Sequence, residues 1–147
     1  MAIHKNLVRT YIYQHFVDRQ RAPDAREVAT ELNISRGEVL EAMRQLATER
    51  VLVLDSQRTS VLMAEPFSAV ETRFTVSSGE STWWANCAWD ALGIAAALHT
   101  DVKILSTCPD CDDPLGLSVI AGRVTGDQCV IHLAVPAARW WDDIVFT

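Results

Sequence analysis

Apolar residues recur at helical spacing from the first turn of the chain. Ile3, Leu7, Val8, Tyr11, Ile12 and Phe16 fall on one face, which predicts a first helix broken at Arg21-Ala22-Pro23. Asp24 then opens a second helix, with Glu27 three residues on as in a capping box and Val28, Ala29 and Leu32 as its apolar face. Asn33-Ile34 reads as a short turn. Ser35 and Glu38 repeat the cap spacing, and Val39, Leu40, Met43, Leu46 and Ala47 form the apolar side of a third helix. The pattern then shortens to strand-like runs at 51–54 and 60–63, separated by a polar turn.

Two short capped helices joined by a turn resemble a helix-turn-helix, and the following hairpin resembles a wing. The fold class expected is therefore α+β. A winged helix-turn-helix domain over residues 1–64 is followed by a small mixed or antiparallel sheet domain over residues 65–147, with residues 64–68 as the linker. In the second half, residues 72–76 read as a strand and 82–98, rich in alanine and leucine, as a helix carrying Cys87 and Asp90 on one face. Further strands are expected at 102–107, 115–120 and 128–135, the last with Cys129 in the core, and the chain is expected to end in a strand.

Net charge narrows the partners. Thirteen basic against nineteen acidic residues give −6, a poor match to a polyanion. On the third helix Arg36, Arg44 and Arg50 are balanced by Glu38, Glu41 and Glu49, so DNA binding is disfavoured and the helices are expected to act as a packing platform. No apolar run is long enough to span a bilayer, and no secretory signal follows the first residues. The cytoplasm is the expected compartment, with the four cysteines reduced. Oligomeric state is not legible.

The candidate chemistry lies between Trp83 and Cys111. Cys87 is either a small core residue or, beside a carboxyl in a tryptophan-rich segment, part of a reactive pair, because an apolar setting favours the protonated acid. Cys108-Pro109-Asp110-Cys111 is half of a zinc knuckle with no second half, so structural zinc is disfavoured. A redox dithiol would ordinarily open a helix, whereas this one precedes a strand. His132 reads as a structural residue.

The stretch ending Cys87-Ala88-Trp89-Asp90-Ala91-Leu92, the spacing onward to Cys108, and Pro114-Leu115-Gly116-Leu117-Ser118-Val119 resemble the organomercurial (alkylmercury) lyase family. The resemblance implies protonolysis of a carbon–mercury bond. Cys87 would be the attacking thiolate and Asp90 the proton donor, with no cofactor required and mercuric ion left as bound product until small thiols remove it. Cys108 matches a cysteine that looks structural in the family. Cys87, Cys108 and Cys111 form the candidate soft-metal set, and the alternative function is a soft-metal binder or sensor without lyase activity. The chain departs from the family where its second catalytic cysteine is expected: Trp140-Trp141-Asp142-Asp143-Ile144-Val145-Phe146 contains none. By the resemblance, a second thiol or selenol is expected just beyond Thr147, and the activity of the chain is expected to be impaired.

Overall fold

The fold is that of a computed structural model describing residues 2–145 of the 147, with side chains from His4 to Val145. Three helices come first: α1 (Ala2–Arg19), α2 (Ala25–Leu32) and α3 (Arg36–Thr48). Their starts are fixed locally. Asp24 accepts the backbone N–H groups of Arg26 and Glu27 at 2.7 and 2.8 Å, and Glu27 returns a bond from the Asp24 N–H at 2.8 Å. Ser35 and Glu38 form the same reciprocal pair at α3. Asn33, left-handed at φ 51°, ends α2 and turns the chain into α3. Val8, Ile12 and Phe16 are buried as their spacing predicts, while Leu7 on the expected apolar face is exposed. The side chain of Ile3 lies outside those described.

Eight strands form one antiparallel sheet: β1 (Val53–Leu54), β2 (Val61–Ala64), β3 (Phe67–Ser68), β4 (Thr75–Ser78), β5 (Ser81–Ala85), β6 (Val102–Thr107), β7 (Pro114–Ile120) and β8 (Arg123–Gly126). Their order is β1-β2-β3-β5-β4-β6-β7-β8. The helix α4 (Ala88–Leu98) packs on β4 and β5. No helix is long and apolar enough to cross a membrane among the described residues.

Four expectations are corrected. Residues 64–68 are not a linker: Ala64 closes β2, and Phe67–Ser68 is a buried strand pairing with both β2 and β5. The expected helix over 82–98 is split, because Trp83 and Trp84 are large aromatic side chains that suit a pleated, half-buried strand and lie in β5. Residues 128–135 form no strand. Cys129 and His132 are exposed there, and β8, which the sequence did not announce, is instead the last strand. The chain near its end is a 3-10 helix, Ala137–Asp142, rather than a strand. Phe146 and Thr147 lie outside the described residues.

A single buried cluster runs from Val8 in α1 to Val119 in β7. Phe67 belongs to it. Its ring stacks on Phe16 at 5.5 Å between centroids and meets Trp83 at 6.4 Å. The Trp83 indole N–H donates to the Phe16 carbonyl at 2.8 Å, a buried bond that ties β5 to α1.

Candidate functional site

The β5–α4 junction is where sequence and fold create a site. Cys87 is the N-cap residue of α4, extended at φ −148°, and the Ala91 N–H makes the first helical bond to its carbonyl at 2.9 Å. Asp90 therefore occupies the third helical position. This is the spacing that Asp24/Glu27 and Ser35/Glu38 use as capping boxes, but Cys87 makes no side-chain cap bond. Its thiol points instead to Asp90 and donates to Oδ2 at 3.5 Å.

The wall around this pair is mostly apolar. A cleft of about 160 Å³ is lined by Cys87, Asp90, Asn86 and Trp89 from the junction and by Met63 and Glu65 from the β2–β3 edge. Leu133, Trp140, Ile144 and Val145 close it from the C-terminal segment. Within that segment the Trp140 indole N–H donates to the Val135 carbonyl at 2.8 Å, and the Arg50 guanidinium, 5.6 Å from the centre of the Trp141 ring, links the segment to the end of α3. Gly93 lets α4 approach the β2–β3 connection: a Cβ there would stand 3.3 Å from the Pro66 ring. A larger groove of about 600 Å³ lies between α1 and α2, but its lining is charged and holds no thiol. The smaller cleft is the one of the two that holds a thiol beside a carboxyl.

Partial burial sets the proton affinities. It pushes the Cys87 thiol above its ordinary value, with the backbone N–H groups of Asp90 and Trp89 pulling the other way and the Asp90 charge adding to the rise. Burial likewise raises the Asp90 carboxyl, against hydrogen bonds from the Cys87 thiol, the Asn86 side chain and the Cys87 N–H. Glu65 is raised by burial and then by the charge of Asp90. The cleft thus raises the proton affinity of both the thiol and the carboxyl above their values in water.

The sequence model of the alkylmercury lyase (MerB) family matches residues 67–147, more than half of the chain and including the whole β5–α4 junction. The chain belongs to the alkylmercury lyase family. Among solved structures it is similar to one described as the crystal structure of the mercury-bound form of MerB2, with a TM-score of 0.63 at 22% identity, over 83% of this chain and 58% of that one. At that identity the likeness concerns the fold, and the chain spans under two thirds of the matched structure. No match is found among curated proteins.

Of the residues singled out by spacing, the fold brings Cys87 and Asp90 together in one cleft. Cys108 and Cys111 are not on its wall; they sit on the turn between β6 and β7, half-buried and exposed respectively. Among the described residues no group of three or more His, Cys, Asp or Glu side chains is placed to hold a metal ion. Glu65, Met63 and Asn86 went unrecognised in the sequence. The only local signal was Glu65-Pro66 interrupting an apolar run, and this reads equally as a linker.

Proposed function

We propose that the cleft performs protonolysis of carbon–mercury bonds, with Cys87 as the attacking sulfur and Asp90 as the proton carrier. The observation that carries this reading is the Cys87 thiol donating to the Asp90 carboxyl in an apolar-walled cleft. In the proposed sequence, sulfur forms a bond to the mercury of an organomercury thiolate, the small thiolate leaves, and the thiol proton passes to Asp90. The carbon–mercury bond then breaks. Its electron pair takes the proton from Asp90, hydrocarbon departs, and Asp90 is left as carboxylate. Mercuric ion stays on Cys87 until small thiols of a reducing compartment such as the cytoplasm remove it. Mercury prefers sulfur because both are soft, so neither Asp90 nor Glu65 competes for it. No resident cofactor enters this scheme.

Supporting roles follow from the fold. Residues 1–64, three helices with the β1–β2 hairpin, are read as a winged-helix-like module used as a platform for the thiol and carboxylate region over 65–147. The β2–β3 pairing and the common core support the platform role. A second reading, a soft-metal binder or sensor without turnover, is favoured by one observation. Among the described residues Cys87 is the only thiol lining the cleft, and the only other sulfur there is the Met63 thioether. The test is to incubate the protein with phenylmercury and measure benzene released alongside mercury bound. Benzene above the protein-free control supports the lyase reading. Stoichiometric binding at Cys87 without benzene supports the binder.

A further inference from the structure

The β6–β7 turn carries two thiols that the cleft does not use. Cys108 follows the last residue of β6, and Asp113 precedes β7. The turn is closed at both levels: the Cys108 N–H donates to the Asp113 carbonyl, and the Asp112 N–H to the Cys108 carbonyl, each at 2.9 Å. Asp112 takes a left-handed backbone, φ 59°, to complete it. Cys108 and Cys111 therefore sit three residues apart on one turn whose backbone is pinned at both ends.

We propose that the Cys108–Cys111 turn is a second soft-metal site, separate from the cleft, which holds a two-coordinate thiophilic cation such as mercuric ion between its two sulfurs.

Three features fit this role. An organomercury cation has one position to offer a protein thiol, whereas mercuric ion accepts two, so the single cleft thiol suits the substrate and the paired thiols suit the product. Two thiols on one pinned turn act as a chelate, with an effective concentration of at least the millimolar order that short tethers give, enough to compete with free monothiols. Asp110, Asp112 and Asp113 are exposed on the same turn and attract a cation without competing for a soft one. Binding is balanced without redox: two protein sulfur–mercury bonds replace the ion's two bonds to small thiolates, which leave with the two thiol protons.

The full chain with Cys87→Ser and Cys129→Ser tests the site, because of the four cysteines only Cys108 and Cys111 remain. Mercuric chloride is added with glutathione in excess, and native mass spectrometry counts the metal, with circular dichroism checking the fold. We expect one mercury per monomer, and at least a tenfold loss of retention when Cys111→Ser is added. Glutathione stripping the double variant bare, a mercury bridging two chains, or retention unchanged by Cys111→Ser would each overturn the proposal. Phenylmercury labelling of Cys87 in the unmodified protein reads the cleft separately, so failure there leaves the turn result standing.

Discussion

Cys87 and Asp90 occupy positions that elsewhere in this chain serve only to start a helix. A hydroxyl or carboxylate at the N-cap would take the free N–H groups of α4, as Asp24 and Ser35 do for α2 and α3. The thiol is a weak acceptor, and it turns to the carboxyl instead. The consequence for stability has a definite sign. Asp90 titrates higher in the folded chain than in the unfolded one, so the folded state keeps a proton that the unfolded chain has lost. Its contribution is most favourable below the ordinary carboxylate range and is lost as pH rises through the raised folded value. Asp90→Asn should therefore flatten the pH dependence of thermal denaturation above the ordinary carboxylate range relative to the unaltered protein, and raise the midpoint where the Asp90 carboxyl is ionised. An unchanged slope would mean that the carboxyl is not held in a desolvating site. The pairing of these two residues was legible in the sequence because three-residue spacing at a helix start brings side chains together whether the helix begins at 82 or at 88. Glu65 was not legible, since it is 25 positions away from Asp90 and reaches the cleft only through the β2–β3 pairing.

At the scale of elements, the sequence spoke where the signal is local. The two capping boxes and strand 102–107 emerged as expected because caps and period-two alternation are written in neighbouring residues. The start of α4 was missed because cysteine is not a recognised cap. The strand expected over 128–135 failed because alternation alone supplies no partner: its apolar Val130, Ile131 and Leu133 are exposed, while β8 had already paired with β7. Asp24→Ala should cost about 1 kcal/mol in urea unfolding by removing the acceptor for two N–H groups of α2. A change near zero would show that α2 is held by packing alone. Phe67→Ala should cost far more, roughly 3–5 kcal/mol, since it empties the space between Phe16 and Trp83.

In the whole molecule the helices and sheet share that core, so denaturation should be one cooperative transition reported equally by tryptophan fluorescence and by helical circular dichroism. Two separated transitions would indicate that residues 1–64 fold apart from the rest. The net charge of −6 and the balanced third helix predict no sequence-specific DNA binding; a mobility-shift selection from random DNA that returned a clear motif would contradict this. Whether the chain meets mercury at Cys87 is read from mass mapping after one equivalent of phenylmercury. The adduct is expected on the peptide bearing Cys87, retained in Asp90→Asn and absent in Cys87→Ser. Labelling confined to Cys111 or Cys129, with Cys87 untouched, would contradict it.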